Sequence, residues 1–85
     1  MICNLKPTKF NATILGQCLK IQEEYEELKE AVIEDDEKHI GEECCDVIVA
    51  CLTLLEHNFT DKQIEDLFEM VNEKNRKRGY LKDGE

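Results

Sequence analysis

The chain has 85 residues, a formal net charge of −9, 36% charged and 41% hydrophobic residues, a size and balance that predict one globular domain over residues 1–85 and exclude a disordered chain. Twenty acidic side chains against eleven basic ones repel a phosphate backbone, so no nucleic acid duplex is expected as the main partner, and no apolar run approaches the ~20 residues of a membrane span. A domain this short hides only about 60–65% of the surface of its unfolded chain, so partner subunits are a natural source of further burial.

Residues 1–10 read as an N-terminal extension. Met1-Ile2-Cys3-Asn4-Leu5-Lys6-Pro7 has no apolar core like that of a secretory signal, and Pro7 is the single proline. The cysteines are Cys3, Cys18, Cys44, Cys45 and Cys51. An odd number without framework spacing predicts reduced thiols in a cytoplasmic setting.

The first helix is expected from about Asn11 to Glu34, with an apolar seam at Ile14, Cys18, Ile21, Tyr25, Leu28 and Val32 at helical spacing. Gly16 weakens a helix interior by about 1 kcal/mol relative to Ala, and marks a late start, a bend or a close crossing. Asp35 and Asp36 supply a turn and a cap. The second helix is expected from about Asp36 to His57. Its first seam is Ile40, Cys44, Val47, Cys51 and Leu54, and Cys45, Ile48, Leu52 and Leu55 form another beside it. A helix apolar nearly all round needs cover on several sides, and isologous packing against a second copy would provide it. The third helix opens with a capping box, Thr60 and Gln63, flanked by a Phe59–Ile64 staple. Its apolar face is Ile64, Leu67, Phe68 and Val71, and it ends near Arg78 with Gly79 as a left-handed cap. Residues 79–85 form a tail. No strand pattern appears, so the fold class is all-α.

The first two helices each carry an acidic pair beside the seam. Glu24 and Glu27 lie three apart within Glu23-Glu24-Tyr25-Glu26-Glu27, and Glu43 and Asp46 lie three apart in the most apolar helix. Residues so spaced share a face. Four converging carboxylates repel, at about 4 kcal/mol per pair for charges 4 Å apart in an effective dielectric of 20. A hard divalent cation resolves that repulsion, and Mg²⁺, which keeps waters and takes substrate phosphates, is the expected ion, with Mn²⁺ as a substitute. The alternative is a solvated glutamate face on a non-catalytic helical assembly module. A ferritin-like di-metal carboxylate bundle is disfavoured, because neither Glu24 nor Glu43 has a His three residues on. Zinc at Cys44, Cys45, Cys51 and His57 is disfavoured because adjacent helical cysteines diverge and no Cys-x-x-Cys is present; buried small apolar residues account for the cysteines better. No His is clearly placed to activate a nucleophilic cysteine, and His39 is expected as a surface residue near a helix start.

The order Glu-Glu-x-x-Glu, then 15 residues from Leu28 to Glu42, then Glu-x-x-Asp, together with a basic segment Lys74-Asn75-Arg76-Lys77-Arg78, resembles the MazG-like all-α nucleoside triphosphate pyrophosphatases over about Ile14 to Tyr80. The resemblance implies Mg²⁺ ligands at Glu24, Glu27, Glu43 and Asp46, with Glu23 in a supporting role. It implies hydrolysis of a nucleoside triphosphate to the monophosphate and pyrophosphate, by water activated at the metal and directed at the α-phosphorus. Lys74 and Arg78 are the expected phosphate contacts and Asn75 a polar contact to the nucleotide; helix C-terminal basic residues also complement the macrodipole without any ligand. With three helices, a four-helix-type bundle would be completed by the N-terminal segment or by a second subunit in a homodimer or dimer of dimers.

Overall fold

A computed structural model describes residues 4–83; Cys3 and Gly84, with the outer ends of the extension and the tail, lie outside the described residues. Three helices follow one another, α1 (Ile14–Glu34), α2 (Glu37–Asn58) and α3 (Asp61–Lys77), and no strand occurs among the described residues. The all-α class stands.

The helix ends have local causes. Helix α1 begins three residues later than expected, because Ala12 is left-handed at φ 60° and Thr13 is extended. The Thr13 N–H bonds the Asn11 carbonyl at 2.6 Å, and Thr13 Oγ1 accepts the Gly16 N–H at 2.8 Å. This tight entry explains Gly16. A Cβ there would stand 2.4 Å from the Asn11 carbonyl oxygen and 3.1 Å from Thr13 Oγ1. Gly16→Ala is therefore expected to destabilise the protein by about 1–3 kcal/mol through overpacking, although alanine is the better helix former by about 1 kcal/mol. Thermal melting checks this, at roughly 4–8 °C per kcal/mol for a domain of this size; an unchanged or higher midpoint would mean the entry loop yields freely.

Asp35 closes α1 in the left-handed region at φ 56°, its N–H reaching the Ala31 and Val32 carbonyls. Asp36 caps α2, with Oδ1 accepting the His39 N–H at 3.3 Å. The capping box of α3 is present in both halves: Thr60 Oγ1 accepts from Gln63 N–H at 3.2 Å, and Gln63 Oε1 accepts from Thr60 N–H at 2.9 Å. Gly79, at φ 71°, follows the end of α3 in the left-handed conformation its position required.

Helices α1 and α2 form the main packing pair, and α3 touches α2 sparingly and α1 not at all. The face of α1 turned to α2 is not the expected apolar seam. Ile21 and Leu28 are half-buried, but Ile14, Cys18, Tyr25 and Val32 are exposed, and the buried residues are Gln17, Glu24 and Ala31. These three are spaced by seven, so they line one face. Gln17 is wholly buried. Its Nε2 donates to the Ala50 carbonyl at 2.9 Å, and its Oε1 accepts from Asn11 N–H at 3.1 Å and Asn11 Nδ2 at 3.2 Å. The amide thus joins α1, α2 and the entry loop.

The N-terminal segment supplies no fourth helix among the described residues. It runs extended across α2. Thr8 N–H donates to Thr53 Oγ1 at 2.9 Å, and that buried hydroxyl in turn donates to the Val49 carbonyl at 2.9 Å. Phe10 stacks on His57 with ring centroids 3.5 Å apart, so His57 is engaged away from the cysteines. Cys18, Cys44, Cys45 and Cys51 are all free and exposed on the protomer, not buried as expected. They lie on helix faces that the other described residues leave largely uncovered.

Such faces are extensive. Among the described residues the buried apolar side chains are Ala31, Ala50 and Ile64, whereas Ile14, Leu15, Leu19, Ile33, Phe68 and Met70 are about half exposed or more. The accessible surface is 6889 Å², about a third more than the ~5,200 Å² of a compact monomer of this mass. The radius of gyration, 14.6 Å, exceeds the ~12 Å of a closed domain of this length. No described helix is long and apolar enough to cross a membrane.

Candidate metal centre

The α1–α2 contact sets the site. Gln17 and Ala31 are the buried positions either side of Glu24 on α1, so Glu24 also turns towards α2 and is buried at 8% relative exposure. Glu27 follows one turn later at the edge of the contact, exposed, and Glu43 meets them from α2, half-buried. One carboxylate oxygen from each of Glu24, Glu27 and Glu43 lies within 4.8 Å of the others.

This concentration of charge leaves marks. Glu27 titrates above the ordinary 4.5, chiefly because of the Glu24 charge, with desolvation and the Glu43 and Glu23 charges adding. Being raised in the folded state, this carboxyl favours the fold most below its ordinary value and loses that contribution as pH climbs through the raised one. Glu43 Oε2 is buried with no hydrogen-bond partner. An unpaired buried acceptor is costly, and a cation drawn to the three gathered carboxylates would relieve it.

The donor set fits a hard divalent ion. Carboxylate oxygens are its preferred ligands, and two oxygens bonded to one Mg²⁺ at about 2.1 Å stand at most ~4.2 Å apart.

The other site residues expected from the sequence fall elsewhere. Asp46 is exposed on α2 and is not among the three converging groups. Three residues on a helix leave it about 60° round from Glu43. Glu23 is exposed and pairs with Lys20 at 3.4 Å. His39 pairs with Asp36, its Nδ1 3.3 Å from Oδ2, as a surface residue at the helix start. Lys74 and Arg78 are exposed and Asn75 half-buried at the C-terminal end of α3. There the Arg78 N–H meets the Lys74 carbonyl at 3.2 Å, and the Tyr80 N–H meets that of Asn75 at 2.9 Å. Arg76 pairs with Glu73, and among the described residues no ion pair ties Lys74 or Arg78 to the acidic cluster.

One residue of the site escaped the sequence reading. Lys20 Nζ stands 2.9 Å from Glu24 Oε1, and that hydrogen bond raises its pKa above 10.5. The pattern that found the acids was a spacing of carboxylates, and Lys20, one turn before Glu24, lay outside it.

No curated protein and no solved structure matches the chain. The sequence model of one family, described as phosphoribosyl-ATP pyrophosphohydrolase, matches residues 3–75. That stretch holds α1, α2, the acidic cluster, and Lys74 and Asn75, and it stops short of Arg78. The family sits in the MazG-like all-α superfamily that the motifs resembled, although membership of the MazG branch itself is not what matches. With most of its length matched and its acids gathered between two helices, the chain belongs to the phosphoribosyl-ATP pyrophosphohydrolase family, whose members are enzymes that cleave anhydride bonds.

Proposed function

We propose that this protein hydrolyses a nucleotide triphosphate chain to the monophosphate and pyrophosphate, with Mg²⁺ held by Glu24, Glu27 and Glu43. The observation that carries the proposal is the gathering of one oxygen each from Glu24, Glu27 and Glu43 within 4.8 Å, with Glu43 Oε2 buried and partnerless beside it. Ion binding there would relieve a defect that otherwise only weakens the fold. Asp46 is the proposed fourth carboxylate, reached by rotation about its exposed side chain, and Glu23 supports the site from its edge. Mn²⁺ should substitute.

Mg²⁺ in this position supplies charge neutralisation of the phosphates and a more acidic water. The chain's own residues do the rest. Glu24 and Glu43 are held by the helix pairing, so the ligand geometry is set before substrate arrives. One of the site's carboxylates would take the water proton. Lys74 and Arg78 neutralise the departing pyrophosphate, with Asn75 beside them, and phosphoryl chemistry needs little beyond such positioning and charge.

The family's description favours ATP carrying a phosphoribosyl group as the substrate, and an ordinary nucleoside triphosphate has the same cleavable chain. The functional unit is proposed to be a homo-oligomer, a dimer or a pair of dimers. The surplus accessible area and the exposed apolar rows of α1 and α3 support this, since a second copy would both cover them and complete a four-helix-type bundle. Free thiols at four described cysteines suit the proposed cytoplasmic setting.

A panel of ribo- and deoxynucleoside triphosphates and phosphoribosyl-ATP, assayed for pyrophosphate with Mg²⁺, Mn²⁺ or EDTA, tests the reading. Pyrophosphate is expected in equal amount with the monophosphate, and EDTA should abolish it. Orthophosphate as the product, or turnover that survives chelation, would overturn the proposal.

A further inference from the structure

We propose that Lys20 is a built-in counter-ion of the carboxylate cluster, which yields Glu24 to the divalent cation and then binds the substrate's phosphates. The inference rests on the metal-site reading above and adds a residue to it. Among the described residues Lys20 is the one basic side chain in contact with the cluster, at 2.9 Å from Glu24 and 3.4 Å from Glu23.

A simple helix-surface pair does not explain this contact. Lysine placed before glutamate at i, i+4 is the weaker order for stabilising a helix, and the Glu24 side chain is only 11% exposed, whereas that of Lys20 is 40% exposed. The carboxylate is held by burial, and the ammonium is the more exposed partner. Glu24 supplies an oxygen to the ion-sized triad, so an arriving divalent cation and Nζ would be like charges on one carboxylate. In a partly buried setting such charges repel strongly, and the exposed lysine is the partner that moves. Its stem is anchored one turn before Glu24, so the released ammonium stays beside the site. A bound phosphate chain, with its own negative oxygens, is the natural new partner.

The counter-ion role requires opposite effects on two affinities. Titration calorimetry of the full chain with Mn²⁺ alone, for the parent, Lys20→Met and Lys20→Gln, should show both variants binding the ion about 3- to 10-fold more tightly. With Mn²⁺ saturating, α,β-methylene-ATP should bind the same variants about tenfold more weakly or worse, and Lys20→Arg should recover most of that loss. Thermal melts of each variant confirm that the fold is retained. A variant that binds Mn²⁺ no better than the parent, or the analogue equally well, overturns the exchange while leaving the metal site intact. A parent that binds no Mn²⁺ overturns the metal-site reading, and the exchange falls with it.

Discussion

Glu43→Gln is expected to raise the melting temperature of the metal-free protein while abolishing its divalent-ion binding and its pyrophosphate release. The two effects have one origin. In the parent, Glu43 Oε2 is buried and unpaired, on a side chain that meets the Glu24 and Glu27 carboxylates. An amide of the same shape removes a like charge and offers N–H donors to those carboxylates. Leaving a buried acceptor unsatisfied costs about 1–3 kcal/mol, so recovering much of that cost should lift the midpoint in EDTA by roughly 4–8 °C per kcal/mol. Catalysis should move the other way. Loss of several kcal/mol of charge stabilisation at the phosphates lowers the rate by about a thousandfold. In the parent, added Mg²⁺ should raise the melting temperature, because ligand that binds only the folded state stabilises it; in Glu43→Gln that increment should vanish. Asp46→Asn is the control. Asp46 is exposed, so its metal-free stability should stay within about 0.5 kcal/mol of the parent even though activity is lost. A Glu43→Gln protein that melts lower than its parent in EDTA would show that Oε2 has a partner in solution, and its support for the metal site would be gone.

The sequence made the helices and their caps legible because those depend on neighbours in the chain. Thr60 and Gln63 satisfy each other's backbone within one turn, and Asp36 does the same for His39. Which face of α1 turns inward was not legible, because apolar periodicity was followed where a polar side chain decides. Ile21 and Leu28 of the expected apolar row are half-buried, yet Ile14, Cys18, Tyr25 and Val32 face outward, and Gln17 and Glu24 are buried instead. Hydrophobic spacing records every interface a helix makes, including those with other copies, and does not rank them. The same ambiguity explains the cysteines, expected inside and found exposed on the protomer. The acidic cluster was largely legible: three of the four carboxylates expected as ligands converge, since i, i+3 spacing on each of two packed helices constrains them. Asp46 differs because convergence also depends on the rotation of α2, which its apolar surface on all sides leaves unspecified. Lys20 was hidden because its role comes from contact with Glu24, an acid whose burial no apolar spacing signals.

That face assignment can be tested at Gln17. Gln17→Ala is expected to cost about 2–4 kcal/mol, a large fraction of the roughly 4–13 kcal/mol available to a domain of this length. The substitution removes a wholly buried side chain and opens a cavity. It also strips the partner from Asn11, whose backbone N–H and side-chain amide both donate to Gln17 Oε1. Gln17→Leu fills the space without replacing the hydrogen bonds, and should cost about 1–2 kcal/mol, the share due to polar groups left unpaired. Denaturant titration measures both, with a midpoint that falls further for alanine than for leucine. The consequence should extend beyond stability. Gln17 precedes Glu24 by two turns on the same face, and its bond to the Ala50 carbonyl, 2.9 Å long, fixes the rotation of α1 against α2. Both variants should therefore bind Mn²⁺ more weakly than the parent under conditions where they remain folded, because Glu24 and Glu43 no longer meet in a fixed register. If Gln17→Leu bound the ion as the parent does, the carboxylates would be aligned by something other than this amide, and the outward apolar row of α1, covered by a second subunit, would be the remaining element able to set the rotation.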